Sequence, residues 1–211
     1  MFPAGASASS NLNSLMARHS KIIAVFGSSH PRPGEPDYEG ARLLGSEFAA
    51  RGFSVCTGGY GGVMEAALRG AKESGGHTVA ITATFFRRES NSWAAEQRVA
   101  KTWQERLFEL IRISDGYVVC KGGTGTMAEL AVVWEMMNKQ VMSGKPLAVL
   151  GDFWAPVIER ICEAEQAVDL RRGKAIGQLV RVVSTPAEAA DFFARTLAGK
   201  ETEKSGQDLT R

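Results

Sequence analysis

The segment Lys121-Gly-Gly-Thr-Gly-Thr-Met-Ala-Glu129 decides the fold of this chain. It follows the apolar run Gly116-Tyr-Val-Val-Cys120 and precedes the helical pattern Leu130-Ala-Val-Val-Trp-Glu-Met-Met137. A buried strand that breaks into glycines and then opens a helix is typical of α/β proteins that bind phosphate. Glycines let the backbone approach an anion closely, and the free N–H groups of the helix start can then bind it.

Similar strand–helix units repeat along the chain. Apolar strands are predicted at 22–26, 53–57, 78–82, 117–120, 146–150 and 179–183. Helices are predicted at 38–51, 63–74, 94–113 and 125–138, from about 155, and near 186–197. Such alternation predicts a parallel sheet with helices on both faces, a single Rossmann-like, doubly wound α/β domain over 21–198. Residues 1–20 are expected to be a flexible leader, and the polar segment 199–211 a disordered tail.

Composition excludes several classes of protein. The 211 residues are 44% hydrophobic and 23% charged, and the net charge of +2 comes without a long basic run. We therefore expect neither a nucleic-acid partner nor a membrane partner, and no apolar stretch approaches the length of a membrane span. Three separated cysteines without CxxC spacing predict reduced thiols in a cytoplasmic protein, with neither a disulfide framework nor a metal site.

Two further glycine-rich turns follow predicted strands. Gly58-Gly-Tyr-Gly-Gly-Val-Met-Glu65 shares glycines at three offsets, and a glutamate, with 122–129, and Gly27-Ser-Ser29 follows the first strand. Tight strand-to-helix packing would explain one such turn, but three at one sheet edge favour a bound anion. The predicted phosphate or nucleotide contacts are Gly27, Ser28, Ser29, Gly58, Gly59, Gly61, Gly62, Gly122, Gly123, Thr124, Gly125 and Thr126, with Met64 as a further candidate. The GxGxxG and GxxxxGK[ST] fingerprints are absent, which argues against an ordinary dinucleotide enzyme or ATPase.

The charged residues near these turns have two interpretations each. Thr126 and Glu129 have the spacing of a helix capping box, whereas Glu65 recurs at the same offset after a glycine, which leaves a role beside the ligand open for both glutamates. Arg98 and Arg106 lie at the edge of an apolar stripe on the predicted helix 94–113, and this pattern alone favours surface arginines.

Three segments together resemble the LOG family of cytokinin riboside 5'-monophosphate phosphoribohydrolases. They are Val25-Phe-Gly-Ser-Ser29, Gly58-Gly-Tyr-Gly-Gly-Val-Met64 and Gly122-Gly-Thr-Gly-Thr-Met-Ala-Glu129, and the resemblance covers roughly 22–150. The PGGxGTxxE motif of that family matches at every position except the first, where Lys121 replaces proline. Of the family's arginine–lysine pair on the preceding helix, Arg106 is present and Leu107 stands in the lysine position.

The resemblance implies hydrolysis of the N-glycosidic bond of a nucleoside 5'-monophosphate, giving a free base and ribose 5-phosphate. It assigns the chemistry to Arg106 and Glu129, requires no metal or redox cofactor, and implies a homodimer, for which the helix segment 134–137 is a candidate contact surface. Relative to the family motifs, Leu107 removes a positive charge and Lys121 adds one, so the charge of Lys121 could partly substitute for the missing lysine at position 107. Alternatively, the chain is a non-catalytic nucleotide or molybdenum-cofactor carrier or sensor of the same fold. The preferred base, adenine or a prenylated adenine, stays open.

Overall fold

A seven-stranded, fully parallel sheet forms the centre of the computed structural model, which describes residues 20–142 and 144–208. The strands are β1 (Ile22–Phe26), β2 (Ser54–Thr57), β3 (Thr78–Ala83), β4 (Glu96–Ala100), β5 (Gly116–Val119), β6 (Leu147–Leu150) and β7 (Val180–Val183). The α-helices of the described residues are α1 (Pro36–Ala50), α2 (Val63–Glu73), α3 (Trp103–Ile113), α4 (Thr124–Asn138), α5 (Ala155–Val168), α6 (Leu170–Gly177) and α7 (Pro186–Asp208). This confirms the predicted Rossmann-like, doubly wound α/β domain.

The order of strands, β4-β3-β2-β1-β5-β6-β7, places the topological switch point between β1 and β5. These two strands pair in parallel, with Phe26 opposite Val119. Their carboxyl ends therefore open at the same edge of the sheet, where proteins of this architecture bind ligands. The turns that follow β1 and β5 are the glycine-rich segments that the sequence singles out.

Two apolar clusters cover the two faces of the sheet. Neighbouring residues of β1 alternate between them: Ile23 and Val25 pack with α1, α2 and α7, whereas Ala24 and Phe26 pack with α3, α4 and α5. A strand buried on both faces has no polar side to show, which is why β1 reads as one continuous apolar run.

The prediction of one long helix over 94–113 is confirmed for its carboxyl-terminal half and wrong for its amino-terminal half. The chain forms edge strand β4, which pairs only with β3 and leaves alternate side chains exposed, and then begins α3 at Trp103. Thr102 caps that helix, because its side-chain oxygen accepts the backbone N–H of Glu105 at 3.1 Å. An edge strand needs little apolar surface, so its polar sequence carries no strand signal.

Other differences lie toward the carboxyl end of the chain. α6 was not predicted, and α7 continues to Asp208, into the segment expected to be a disordered tail. Trp134 is buried and donates its indole N–H to the carbonyl of Ile176 at 2.9 Å. It therefore does not form part of an exposed contact surface, contrary to the expectation for 134–137. The leader expected over 1–20 lies outside the described residues, apart from Ser20. Within the described ranges, no helix is both long and apolar enough to cross a lipid bilayer.

Candidate functional site

Backbone hydrogen bonds hold the three glycine-rich turns together. Ser28, in the turn after β1, donates its N–H to the carbonyl of Lys121 at 3.1 Å. The carbonyl of Ser28 accepts the N–H of Val63, the first residue of α2, at 2.9 Å. The turn after β1 is thus bonded to both of the others, and the predicted phosphate contacts on the three segments lie in one region of the sheet edge.

Some of the glycines serve packing within the turns. A Cβ atom on Gly27 would lie 2.5 Å from Val63 Cγ1, and one on Gly62 would lie 2.3 Å from the carbonyl oxygen of Ser28. Gly62 also has a φ of 68°, which side-chain-bearing residues rarely adopt. Tight strand-to-helix packing therefore accounts for these two positions without a ligand.

The start of α4 has a different character. Gly122 packs against the buried side chain of Thr126, but a Cβ atom on Gly123 or Gly125 would meet nothing within 4 Å. Gly123 is the N-cap residue and provides no side-chain cap. The first helical bond runs from Met127 N–H to the Gly123 carbonyl at 2.9 Å, so the N–H groups of the residues between them precede the helical ladder. This exposed, positively polarised helix end suits an anion.

Of the two interpretations of Glu129, the capping box formed with Thr126 is wrong. α4 begins at Thr124, so Thr126 already lies within its first turn and Glu129 belongs to the second. Glu129 is therefore not needed to cap the helix. Its side chain is only 12% exposed, and its carboxylate lies beside the guanidinium of Arg106.

Arg106 is buried, contrary to the expectation of a surface arginine. The residue is 4% exposed, and its Nε–H donates to the carbonyl of Ile81 on β3 at 2.8 Å. Its Cζ lies 5.5 Å from the ring centre of Tyr60 and 5.6 Å from that of Phe86. Two aromatic rings thus flank a cation taken out of water, a favourable arrangement for cation–π attraction.

Gly58 makes room for this guanidinium. A Cβ atom on Gly58 would lie 1.4 Å from Nη2 of Arg106 and 2.6 Å from its Cζ. The same Nη2 lies 3.6 Å from Sδ of Met64, at the start of α2. The turn after β2 therefore shapes the arginine site, and this explains Gly58 and Met64 through one contact.

The terminal nitrogens of Arg106 have hydrogen-bonding capacity to spare. Nη1 lies 3.7 Å from Oε1 of Glu129, which is close enough for an ion pair but too long for a hydrogen bond. Among the described residues, the carbonyl of Ile81 is the one oxygen that accepts a hydrogen bond from the Arg106 side chain, whereas a guanidinium carries five N–H donors. Nη2 also donates to Sδ of Met64, whereas Nη1 donates to no described residue and is not one of the fully buried polar atoms, so oxygen atoms of a ligand can accept its N–H groups.

The electrostatics of the pair follow from its burial. Burial raises the pKa of Glu129 to about 7, although the nearby charge of Arg106 opposes the shift. Burial also lowers the pKa of Arg106, while Glu129 opposes that shift in turn. For the carboxyl group, desolvation outweighs an attraction weakened by a 3.7 Å separation. Glu129 can therefore exchange a proton near neutral pH.

The other candidate residues lie at varying distances from this pair. Glu65, at the start of α2, accepts a hydrogen bond from the hydroxyl of buried Tyr38 at 3.1 Å. Arg98 lies on β4 and not on a helix, and it pairs with Glu96 at 2.7 Å and Glu109 at 3.0 Å. Those two carboxylates account for Arg98 as part of a surface ion-pair network.

Both departures from the family motif have clear positions. Leu107 is 2% exposed and packs in the apolar cluster beneath the sheet. Lys121 is largely exposed, and its Nζ lies 3.2 Å from Oδ2 of Asp37.

Sequence reasoning missed Tyr60 and Phe86, although Tyr60 lies within a glycine-rich turn where a large aromatic side chain is unusual. Among the described residues, no cluster of three or more His, Cys, Asp or Glu side chains could hold a metal ion.

A family model and several relatives match the sequence of this chain. The model of the SLOG cluster4 family matches residues 20–179. An uncharacterized protein of Archaeoglobus fulgidus is 35% identical over 132 residues, which cover 61% of this chain and 82% of that protein. A probable cytokinin riboside 5'-monophosphate phosphoribohydrolase of Oryza sativa subsp. japonica is 27% identical over 158 residues, covering 71% and 63% respectively. The cytokinin riboside 5'-monophosphate phosphoribohydrolase of Mycobacterium tuberculosis is 32% identical over 115 residues, covering 53% and 61%.

Solved structures agree on the fold. The molybdenum cofactor binding protein of Rippkaea orientalis superposes with a TM-score of 0.65 at 24% identity, covering 85% of this chain and 98% of that one. The molybdenum cofactor carrier protein of Chlamydomonas reinhardtii gives 0.64 at 24% identity, covering 85% and 99%. At this identity the likeness concerns architecture alone. The family match and the LOG-named relatives together place this chain in the SLOG cluster4 family, as a divergent LOG-like member.

Proposed function

We propose that this protein hydrolyses the N-glycosidic bond of a nucleoside 5'-monophosphate and releases a free base and ribose 5-phosphate. The observation that carries the proposal is the pair of Arg106 and Glu129. A buried guanidinium with unused N–H donors lies 3.7 Å from a carboxylate whose pKa is raised to about 7. Such a pair resembles catalytic acid–base machinery more than a structural ion pair.

The helix start next to Glu129 supports a phosphate as one end of the substrate. The N–H groups of Thr124, Gly125 and Thr126 precede the helical ladder, and Gly123 and Gly125 leave space for close approach. Ser28 and Ser29 lie in the adjoining turn after β1; the Ser28 hydroxyl is hydrogen-bonded to His30, so Ser29 is the residue that adds a hydroxyl donor. A phosphate there would place the ribose of a nucleotide within reach of the second turn of α4.

The proposed reaction follows from the chemistry of the carboxylate. As the bond between C1' and the base nitrogen breaks, the base leaves with the electron pair and positive charge develops on the ribose. Ionised Glu129 stabilises that charge and takes a proton from the attacking water, whose oxygen forms the new bond to C1'. The leaving base takes up one proton, either from solvent or from Glu129 after it has accepted the proton of the water, and Glu129 returns to its ionised form by passing its proton to the base or to solvent. Arg106 binds ligand oxygens and limits the repulsion between Glu129 and the phosphate.

The direct test is the release of free base. Purified protein is incubated with AMP and with isopentenyladenine riboside monophosphate, and free base is followed by chromatography. We expect release by the wild type and a loss of at least 100-fold in Glu129→Gln, in line with the usual contribution of a general base. Glu135→Gln is the matched control, because Glu135 lies on the same helix with a side chain that is 55% exposed. Equal release by wild type and Glu129→Gln would refute the assignment.

A second candidate function is nucleotide or cofactor carriage without turnover. It is favoured by the substitution at Leu107, which removes the charge that accompanies the catalytic arginine in the LOG motif. The folds of two molybdenum cofactor binding proteins are compatible with it. It predicts that AMP raises the melting temperature while no base is released over long incubation. Base release that disappears in Arg106→Ala would exclude it.

We also propose that the protein is a homodimer, as the LOG resemblance implies. Exposed apolar side chains on the elements around edge strand β4 support an interface there: Phe85 after β3, Val99 on β4 and Phe108 on α3. Light scattering after size-exclusion chromatography measures the mass directly. A monomer at micromolar concentration would contradict the proposal.

A further inference from the structure

Lys121 connects the glycine-rich turn after β5 to the start of α1. Its carbonyl oxygen accepts the N–H of Ser28, and its Nζ lies 3.2 Å from Oδ2 of Asp37. Asp37 belongs to the first turn of α1, the helix that follows the turn after β1. The Lys121–Asp37 pair therefore spans the switch point between β1 and β5, next to the uncapped start of α4.

The pair is weak enough to be exchanged. The two side chains are 55% and 42% exposed, and exposed ion pairs contribute little to stability. Asp37 would keep a favourable environment without the lysine, because it lies at the positively polarised start of α1. Glu39, the other acid of that turn, is already bonded to the Gly34 N–H and to Arg42. Releasing Lys121 thus costs little, and its long flexible stem gives it reach.

An anion at the neighbouring helix start would compete for this lysine. The segment from Gly123 to Thr126 begins two residues after Lys121 and offers uncommitted N–H groups. Further support for an anionic ligand comes from Arg106, which is 4% exposed and whose Nη1 donates a hydrogen bond to no described residue, although Nε and Nη2 donate to Ile81 and Met64. A phosphate dianion forms stronger hydrogen bonds with an ammonium group than a single exposed carboxylate does.

We propose that Lys121 is a phosphate-recognition residue that Asp37 holds at the mouth of the site until the ligand arrives. On binding, the ammonium group leaves Asp37 and pairs with the 5'-phosphate of the nucleotide. The inference rests on the proposed binding of a nucleoside monophosphate, but not on its hydrolysis. It predicts selectivity for the phosphorylated form of the ligand, with Asp37 as a built-in competitor that lowers affinity.

The test compares ligands with and without the phosphate. Calorimetry on the full chain measures dissociation constants for AMP, ribose 5-phosphate and adenosine. Lys121→Met should weaken AMP and ribose 5-phosphate about tenfold, equivalent to about 1.4 kcal/mol, and leave adenosine unchanged. Asp37→Asn should tighten both phosphate ligands two- to fivefold, because the competitor is gone. Lys121→Arg should retain most of the affinity, since it keeps the charge.

Lys139→Met is the matched control. Lys139 is 54% exposed, is the C-cap residue of α4 and pairs with Glu135 at 3.5 Å, so its loss removes a similar charge and ion pair away from the helix start. It should leave all three dissociation constants unchanged. Melting temperatures of the variants show that each one folds.

The outcomes separate this inference from the proposed hydrolysis. Unchanged AMP affinity in Lys121→Met would make the pair a surface contact only and overturn the inference, whatever the activity. Weaker AMP binding in Asp37→Asn would also overturn it, because the pair would then be positioning the turn. The expected affinity changes without any base release would refute hydrolysis and leave phosphate recognition standing. A wild type that binds neither AMP nor ribose 5-phosphate would refute both.

Discussion

Gly58→Ala places a methyl group in the space that the Arg106 guanidinium occupies. The new Cβ atom would lie 1.4 Å from Nη2, 2.6 Å from Cζ and 2.7 Å from Sδ of Met64. Gly58 is not among the glycines with positive φ, so its backbone is open to alanine and the clash is the whole perturbation. The guanidinium must move, and its hydrogen bond to the Ile81 carbonyl moves with it.

Two contributions set the size of the effect. Overpacking a well-packed interior costs about 1–3 kcal/mol. Loss of a hydrogen bond that involves a charged group costs about 1.5–3 kcal/mol, if Arg106 finds no equivalent partner. Because a shift of the side chain relieves part of both, we expect the free energy of unfolding to fall by about 2–4 kcal/mol. Base release should fall by at least 100-fold, since an error of about 1 Å in a catalytic group has that consequence.

Urea denaturation and the base-release assay test these two expectations on the same preparations. Gly40→Ala is the matched control, because Gly40 lies within α1 with no atom within 4 Å of the new methyl group, and alanine there should stabilise the protein by about 0.5–1 kcal/mol. Adding Arg106→Met to Gly58→Ala should recover part of the lost stability but none of the activity. Wild-type stability and activity in Gly58→Ala would refute the placement of Arg106.

Three further predictions concern the proposed site. With Glu129 as the base, kcat/KM for AMP should rise with pH and level off above about 7, and a profile flat from pH 5 to 8 would contradict that role. The folded state raises the pKa of Glu129 above its ordinary value, so this group stabilises the folded state less as pH rises toward about 7. Glu129→Gln should therefore have a higher melting temperature than wild type at pH 8, and the difference should shrink toward pH 5. An equal difference in melting temperature at pH 8 and pH 5 would refute the shift. Gly125→Ala, at a helix position with free space, should preserve or raise the melting temperature while weakening AMP at least tenfold; unchanged affinity would place the phosphate elsewhere.

The centre of the fold could be predicted because burial leaves a direct mark on sequence. β1 and β5 are buried on both faces, and each appears as an uninterrupted apolar run followed by glycines. β4 has one neighbour and a solvent-exposed face, so Glu96-Gln-Arg-Val-Ala100 satisfies its environment without any apolar run. No glycine or proline separates β4 from α3, and the two therefore read as one helix. Edge elements are selected by what they pair with, which local sequence does not record.

The site shows the same limit at the level of single residues. The glycines were recognisable as a group, but their roles depend on what faces each missing side chain. Gly62 faces the backbone of Ser28, Gly58 faces a guanidinium, and Gly123 faces open space. The apolar stripe of the predicted helix 94–113 combines residues of a strand and of a helix, and relative to this stripe Arg106 takes a surface position. Its burial depends on Gly58, which is far from it in sequence, and only tertiary structure brings the two together.

Leu107 and Lys121 lie in different surroundings in this structure. Leu107 is 2% exposed and faces the apolar cluster beneath the sheet, whereas its neighbour Arg106 reaches the turn after β2. Leucine at this position therefore fits the core of this chain and removes nothing from the start of α4. Lys121, in contrast, precedes that helix start directly and is held by an exposed aspartate. The charge at Lys121 is thus an addition to the proposed phosphate end of the site, while the side chain of Leu107 belongs to the apolar cluster. The departure to which we assign an effect on ligand affinity is therefore the lysine, and the proposed catalysis depends on the retained arginine and glutamate.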